Sequence, residues 1–184
     1  MTATEKAIEY PSALQEYAVS AAEYLRLHPE YHVLCTGIVV FNKDGKLLLV
    51  QRAADEKAFP NFWEIPGGKV DDTDRSLLEA AARELKEEAG LDSVRVVGKV
   101  SEFSFEDNRP GRRPVKWLKL VFEIEVEDAN HVVLDPTEHQ QYVWATHGEI
   151  MGDLVGKVKL AYVSATNKEV KLQAFKLHAP ALPL

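Results

Sequence analysis

Three glutamates near the end of one predicted helix have the spacing of a divalent metal site. Glu84, Glu87 and Glu88 occupy positions i, i+3 and i+4, and at about 100° per residue they fall within an arc of roughly 100° on the helix. Like charges at this spacing repel one another and disfavour an isolated helix. Magnesium takes carboxylate oxygens and commonly shares its remaining positions with substrate phosphates. The alternative is a solvated charged face, which is common in helices rich in glutamate and lysine.

A glycine pair stands shortly before this helix. Residues 63–70 read W-E-I-P-G-G-K-V, and Gly67-Gly68 within them predict a turn whose backbone approaches another group closely. Taken alone, a glycine pair indicates only a turn. Together with the helix end R-E-L-K-E-E-A-G-L at residues 83–91, it favours a metal and phosphate site over a solvated face.

These residues resemble the signature of the Nudix hydrolases, in which a glycine, five residues, a glutamate and seven residues precede R-E-U-x-E-E-x-G-U, with U aliphatic. The second half is complete here, at residues 83–91, whereas the first half has one extra residue within 71–75. Aligned from the helix, the first glutamate of the signature corresponds to Arg75, and aligned from the loop it corresponds to Asp74. We expect a local bulge there that leaves the Gly68 carbonyl facing the three glutamates.

The resemblance extends upstream through Q-R-A-A-D at residues 51–55 and is most similar to the MutT branch. It implies an α/β (α+β) fold, the Nudix-type α/β/α sandwich with a mixed β-sheet. It also implies a hydrolase that cleaves the diphosphate linkage of a nucleoside di- or triphosphate, or of a related nucleotide derivative, by attack of water on phosphorus. The implied cofactor is Mg²⁺, with Mn²⁺ as a substitute.

The resemblance further assigns roles to individual residues. Glu84 is the first candidate for the base that orients or deprotonates water, and Arg83 is expected to pair with a neighbouring carboxylate and fix the ligand helix. Glu84, Glu87 and Arg83 therefore form the expected catalytic set. The expected metal ligands are a glycine carbonyl and four carboxylates, namely Gly68, Glu84, Glu87, Glu88 and Glu138.

Three residues are expected to contact the substrate. Arg52 and Lys69 are candidates for phosphate contacts because of their motif positions, and Trp63 is a candidate for stacking on a base, with burial in the core as its alternative. The alternative for Glu138 is a solvated loop glutamate. Residues 109–116 form a basic segment that either grips an anionic substrate or is a solvated hairpin loop.

The elements that position these residues follow from periodicity and turn signals. The helix of the glutamates is predicted at 77–89, with a Ser76–Glu79 capping box and with Gly90 in the left-handed conformation after it. Further helices are predicted at 12–27 and 168–177. Strands are predicted at 33–41 and 46–51, joined as a hairpin by the turn at 42–45, and at 94–105, 115–126 and 141–145.

Length and composition indicate one ordinary folded unit. The chain has 184 residues, of which 46% are hydrophobic and 28% charged, which excludes a disordered tail. We expect an N-terminal helical extension at residues 1–30, followed by a single domain at 31–184.

Charge and cysteine content limit the partners and the compartment. The net charge of −7 argues against a general nucleic-acid binder, although a metal ion can bridge an acidic protein to a phosphorylated small molecule. The single cysteine, Cys35, excludes an intramolecular disulfide and a multi-cysteine zinc site, and core packing is its expected role. No apolar run of about 18 residues and no secretory signal is present. We therefore expect a cytoplasmic monomer or homodimer that binds a small diphosphate, with no nucleic-acid or membrane partner.

Two other functions remain open. One is a Nudix hydrolase for a non-nucleotide diphosphate, such as a prenyl diphosphate, and the other is a catalytically silent Nudix-fold binding module. The three glutamates disfavour the silent module, because a pure binder does not need mutually repelling carboxylates. Ile65 stands where the MutT pattern often has an aromatic residue near the base, which weakens a specific assignment to an oxidised guanine nucleotide.

Overall fold

The computed structural model describes residues 8–108, 111 and 113–178, whose main strands form two sheets. In the first sheet, β1 (Val33–Val39) runs parallel to β5 (Val115–Val126), and β5 pairs antiparallel with β4 (Ser93–Asp107). In the second, β2 (Leu47–Arg52) pairs antiparallel with both β3 (Trp63–Glu64) and β6 (His139–Ala145). The combination of parallel and antiparallel pairing confirms the predicted mixed sheet.

The remaining elements are helices and one small hairpin. None of the helices within the described residues is long and apolar enough to cross a membrane. In chain order, these elements are a 3-10 helix (Ser12–Tyr17), α1 (Ala21–Leu27), α2 (Leu77–Ala89), α3 (His147–Met151), the paired strands β7 (Leu154–Val155) and β8 (Val158–Lys159), and α4 (Ala165–Leu177).

Two hydrophobic cores lie on opposite faces of the first sheet. Successive residues of a strand point to opposite faces, so Leu118 and Leu120 of β5 pack in one core with Leu85 of α2. Val121 of β5 packs in the other core with Ala174 of α4. Helices therefore cover both faces of the sheet, which confirms the predicted α/β/α arrangement.

The edge of β1 that does not face β5 is paired with the glycine loop. Ile38 N–H donates to the Pro66 carbonyl (2.7 Å), Thr36 N–H donates to the Gly68 carbonyl (2.8 Å), and Val70 N–H donates to the Leu34 carbonyl (3.0 Å). The loop is therefore held along the sheet by backbone hydrogen bonds.

Helix α2 has the predicted bounds. The Ser76 hydroxyl accepts a hydrogen bond from Glu79 N–H (3.2 Å) at its start, and Gly90 ends it with a φ of 70°. The predicted capping box is only half formed, because the Glu79 carboxylate accepts a hydrogen bond from Arg75 Nε at 2.8 Å. The serine cap alone sets the first residue of the helix.

The prediction of one helix over residues 12–27 is wrong. The chain forms a 3-10 helix and then α1, and the break follows from two contacts. Ser20 caps α1 by accepting from Glu23 N–H (3.3 Å), while the Val19 carbonyl accepts from Leu77 N–H (3.0 Å). The segment is not a separate appendage, since Leu14 belongs to the first core.

The hairpin predicted over residues 33–51 forms only beside its turn, where Phe41 and Leu47 pair as an antiparallel bridge and Leu48 N–H donates to the Val40 carbonyl (3.0 Å). Gly45 N–H donates to the Asn42 carbonyl (2.9 Å), but β1 and β2 then diverge into different sheets. Sequence analysis missed α3, whose capping box joins Thr146 and Glu149. The pattern T-x-x-E at these positions was an available signal for it.

Gly90→Ala should destabilise the protein by about 1–2 kcal/mol, because an alanine in the left-handed region costs about this much. Its Cβ would also lie 2.9 Å from Val133 Cβ. Gly45→Ala is the matched control, since its φ is 68° and no atom lies within 4 Å of its Cβ. Urea unfolding should show the larger loss for Gly90→Ala; equal losses would exclude a contribution from the contact with Val133.

Candidate active site

The glycine loop is tied to α2 by a hydrogen bond between Gly67 and Glu88. Gly67 N–H donates to Glu88 Oε2 at 2.7 Å. Gly67 has a φ of 144°, and a Cβ on it would lie 2.2 Å from the Thr36 carbonyl oxygen. Only glycine fits this close approach to β1, so the loop places Glu88 beside the first sheet.

The second glycine of the pair lies against the carboxylate of Glu84. A Cβ on Gly68 would be 2.5 Å from Glu84 Oε2. The Gly68 carbonyl, however, accepts the hydrogen bond from Thr36 N–H, so the sheet uses one of its two lone pairs. The structure therefore brings Gly68 and Glu84 into contact, with the carbonyl directed towards the backbone of β1.

The side chains of Glu84 and Glu88 are both buried, and burial disfavours their ionised form. Burial raises the pKa of Glu88 to about 8, and the negative charges of Glu64, Glu138 and Glu84 raise it further. The hydrogen bond from Gly67 opposes the shift. Burial also raises the pKa of Glu84, although the Arg83 guanidinium opposes the shift. Burial of two carboxyl groups without enough compensating cations is an arrangement typical of functional sites.

Arg83 organises the other side of the helix through several carboxylates. Its Nε and Nη2 donate to the two oxygens of Asp74, each at 2.8 Å. Its Nη1 donates to Glu84 Oε1 (2.9 Å) and Glu87 Oε2 (2.7 Å). Two residues, Asp74 and Arg75, could align with the first glutamate of the signature. Asp74 is the one that binds Arg83 of the ligand helix, in agreement with the alignment from the loop.

The expected convergence of three glutamates on one point is not present. Among residues 8–108, 111 and 113–178, no three His, Cys, Asp or Glu side chains form a group that could hold a metal ion. The physical reason is that Arg83 Nη1 holds Glu84 and Glu87, while Glu88 turns to Gly67. The donor chemistry nevertheless fits a hard divalent cation, because two buried carboxyl groups, Glu84 and Glu88, have raised pKa values and act on each other electrostatically.

Two further carboxylates border this group. Glu138 is exposed, and its charge contributes to the raised pKa values of both Glu84 and Glu88. Sequence analysis missed Glu64. Burial alone would raise its pKa, but a hydrogen bond from His139 and the charges of Lys119 and Arg52 hold it at about 2. The available signal was its position two residues before the P-G-G segment.

The three predicted substrate contacts occupy different surroundings. Arg52 donates to Glu64 (2.8 Å), to Glu56 (3.0 Å) and to the Ala58 carbonyl (2.8 Å), so the protein itself uses much of its guanidinium. Lys69 is exposed beside the glycine loop.

The prediction for Trp63 needs a correction, because its side chain is fully buried in the second core and has no surface for stacking on a base. Cys35 is buried as predicted, and burial raises the pKa of its thiol. Of the basic segment, Arg109, Pro110 and Arg112 lie outside the described residues.

Two lysines, Lys119 and Lys171, interact electrostatically with Glu64. Lys171 of α4 is fully buried, and its amine donates to the carbonyl of Asn167 (2.9 Å) and to the side chain of the same residue. Burial and the charge of Lys119 lower the pKa of Lys171 to about 7. Neither lysine was identified from the sequence, because both come from strands and helices far from the motif.

Comparisons with known proteins match these features to one family and fold. The family model described as NUDIX domain matches residues 31–165. An RNA pyrophosphohydrolase of Wolbachia sp. subsp. Brugia malayi is 24% identical over 156 residues, which cover 77% of this chain and 94% of that protein. The RNA pyrophosphohydrolase of Bartonella tribocorum is 29% identical over 131 residues, which cover 60% of this chain and 73% of that protein.

Solved structures show the same similarity. The crystal structure of a MutT protein from Methanosarcina mazei is 27% identical, with a TM-score of 0.62, and the match covers 79% of this chain and 94% of that one. The NUDIX domain of Shewanella oneidensis NrtR, determined with ADP ribose, has a TM-score of 0.58 at 19% identity, with coverage of 86% and 98%. The second comparison concerns the fold alone.

Asp74→Asn should cost about 1.5–3 kcal/mol of stability, the scale of a lost hydrogen bond between charged groups, because the Asp74 side chain is nearly buried. The control is Asp71→Asn, since Asp71 is 58% exposed and lies 3.8 Å from Arg83, and an exposed pair contributes less than about 1 kcal/mol. Urea unfolding of both variants tests the difference. An equal loss of stability in the two variants would show that Asp74 is not the main partner of Arg83.

Lys171→Met should change how stability depends on pH. The pKa of Lys171 is lower in the folded protein, so the unfolded chain binds more protons between pH 7 and 10.5, and wild-type stability gains a rising contribution with pH in that range. The variant should lack this contribution, whereas Lys168→Met, in the same helix, should keep it. Unfolding curves from pH 7 to 10 measure the slopes; an unchanged slope in Lys171→Met would contradict the lowered pKa.

Proposed function

The chain belongs to the NUDIX family of hydrolases, enzymes that act on phosphoric anhydrides, and we propose that it is a magnesium-dependent pyrophosphohydrolase of nucleotides. The proposed substrate is a nucleoside di- or triphosphate, or a related nucleotide derivative, whose diphosphate linkage is hydrolysed. The proposal extends the family assignment to a cofactor, a substrate class and a set of residues.

One observation carries the proposal. Glu84 and Glu88 are buried beside the glycine loop, and the charges of Glu64 and Glu138 act on them. Mutual repulsion of buried carboxylates lowers the stability of the fold, whereas a divalent cation would neutralise it. A protein that only needed this fold would gain by replacing these carboxylates.

Four glutamates would hold the magnesium ion, namely Glu84, Glu87, Glu88 and Glu138. When bound, the ion supplies charge neutralisation for the phosphate oxygens and activation of the attacking water. The second lone pair of the Gly68 carbonyl remains available to it, because the hydrogen bond from Thr36 uses only one. Glu84 and Glu87 would each have to share their carboxylate between Arg83 and the ion, since both are paired with Arg83 Nη1 in this structure.

Glu84 is the proposed base. A carboxylate accepts a proton more readily when its pKa is raised towards the working pH, and burial raises the pKa of Glu84. Arg83 orients this carboxylate through Nη1 at 2.9 Å, and Asp74 in turn fixes the guanidinium. Lys69, exposed at the end of the glycine loop, is the proposed phosphate contact on this side.

A second candidate substrate is the 5′ end of an RNA. The relatives named RNA pyrophosphohydrolase favour it, and a 5′-triphosphorylated end contains the same anhydride linkage as a free nucleotide. The net charge of −7 opposes tight binding to a long polyanion. A substrate panel therefore has to contain both free nucleotides and 5′-triphosphorylated oligonucleotides.

The proposed compartment is the cytoplasm. Cys35 is buried and unpaired, and a lone reduced cysteine is typical of a reducing environment. A monomer or homodimer remains the expected assembly.

Glu88→Gln should lower turnover about 100-fold or more, the scale of losing one charge-stabilising group, while stability stays equal or rises. Glutamine retains an oxygen that can accept from Gly67 N–H, and it removes one of the repelling charges. Phosphate release should be measured with Mg²⁺ on nucleoside triphosphates, dinucleoside polyphosphates, nucleotide sugars, 5′-triphosphorylated oligonucleotides and prenyl diphosphates. Melting curves on the same samples report the stability.

Glu79→Gln is the control, because Glu79 lies on the same helix and pairs with Arg75 at the other side. It should retain wild-type turnover. Wild-type activity in Glu88→Gln would exclude Glu88 from the metal site. If the wild-type protein hydrolysed only prenyl diphosphates, these would replace nucleotides as the substrate class. If the wild-type protein hydrolysed nothing in the panel, the silent binding module would be favoured.

A further inference from the structure

Lys119 is a half-buried cation whose ammonium has no hydrogen bond or ion pair with the described residues. It lies on β5, on the face of the first sheet opposite α2, and its stem crosses Gly37 of the paired strand β1. A Cβ on Gly37 would lie 2.8 Å from Lys119 Cε and 3.0 Å from Ile65 Cδ1. Because Gly37 has no side chain, the stem of Lys119 can lie across it.

Lys119 shares the charge of Glu64 with other basic groups. Lys119 interacts with Glu64 electrostatically, but Glu64 already accepts from Arg52 at 2.8 Å and contacts His139 at 3.2 Å. The charge of Lys119 also opposes that of the buried Lys171. Two amines that share one carboxylate with an arginine destabilise the fold in a partly desolvated region. An anion that arrives with a ligand would relieve this repulsion.

The glycine loop relates Lys119 to the proposed reaction centre. Lys119 Cε lies at Gly37 of β1, and the same glycine touches the loop, since a Cβ on Gly67 would lie 2.8 Å from Gly37 Cα. Gly67 N–H in turn donates to Glu88 Oε2 at 2.7 Å, so a polyphosphate held at Glu84 and Glu88 would lie close to Lys119.

We propose that Lys119 binds a phosphoryl group of the substrate beyond the diphosphate linkage that is cut, so that the site selects triphosphates over diphosphates. The buried amine of Lys171, held by Asn167 and lying 5.0 Å from the centre of the Tyr162 ring, adds to the positive potential at this position. The inference rests on the proposed function, because it assumes that the diphosphate lies at the glutamates. It adds a specificity-determining residue that the sequence motif does not contain.

The test compares Lys119→Met with the wild type in binding two probes, inorganic tripolyphosphate and inorganic pyrophosphate, each with Mg²⁺, by calorimetry. Methionine keeps the stem that packs over Gly37 and removes the charge. The affinity for tripolyphosphate should fall about tenfold, as for one lost charge-assisted contact, and the affinity for pyrophosphate should change less than about twofold. The melting temperature should stay equal or rise, because the repulsion on Lys171 is removed.

Lys46→Met is the matched control, since Lys46 is also half-buried and precedes β2 outside the proposed site. It should bind both probes as the wild type does. In steady-state assays, Lys119→Met should raise the KM for a nucleoside triphosphate about tenfold, with kcat changed less than about twofold.

Two results would overturn the inference. One is wild-type affinity for tripolyphosphate in Lys119→Met, and the other is an equal loss of affinity for both probes. These are distinguishable from failure of the proposed function, which appears as a wild-type protein that hydrolyses none of the nucleotides. The calorimetric comparison does not depend on turnover.

Discussion

The hydrogen bond from Gly67 to Glu88 joins the two parts of the site, and it depends on a backbone approach that only glycine permits. The loop lies along the edge of β1 through backbone hydrogen bonds, while α2 packs on one face of the same sheet. A side chain on Gly67 would meet the Thr36 carbonyl oxygen at 2.2 Å and push the loop away from the sheet. Without the approach, Glu88 would lose the donor that compensates its burial, and Glu84 would lose its contact with Gly68.

Charge is distributed unequally on the two sides of Glu64. Glu84, Glu88 and Glu138 repel one another on one side, and the pKa values of the first two are raised. On the other side, Lys119 and Lys171 repel each other, and the pKa of Lys171 is lowered. A polyphosphate with its bound magnesium carries both complementary charges. The fold therefore holds two opposite electrostatic imbalances, which the proposed substrate complex would relieve.

The ion pair between Asp74 and Arg83 explains how the chain accommodates a loop that is one residue longer than the family signature. Ser76 caps α2, so the extra residue is absorbed before the helix and does not rotate the glutamates around it. Asp74 N–H donates to the Asp71 carbonyl at 3.1 Å, which closes a turn and aims the Asp74 carboxylate at Arg83. Arg83 then links the loop, Glu84 and Glu87 in one network.

Local signals in the sequence were sufficient for α2, for the mixed α+β fold and for the family. Serine and glycine at the ends of α2 act on neighbouring backbone groups, so their effect does not depend on the rest of the chain. The carboxylates of Glu84, Glu87 and Glu88 were identified for the same reason, because their spacing along one helix is a local property.

Only the tertiary structure decided how those carboxylates are oriented and what surrounds them. Arg83 and Gly67 compete with a metal ion for the glutamates, and the outcome depends on the rotamers of side chains from separate segments. Trp63 is buried in the same core as Ala174 of α4, and Lys119 lies where it does because Gly37, on a different strand, leaves room for its stem. Such contacts join residues that are far apart in the chain, and burial sets both their charge states and their accessibility. Neither the charge states nor the accessibility of these residues can be read from periodicity or spacing along the sequence.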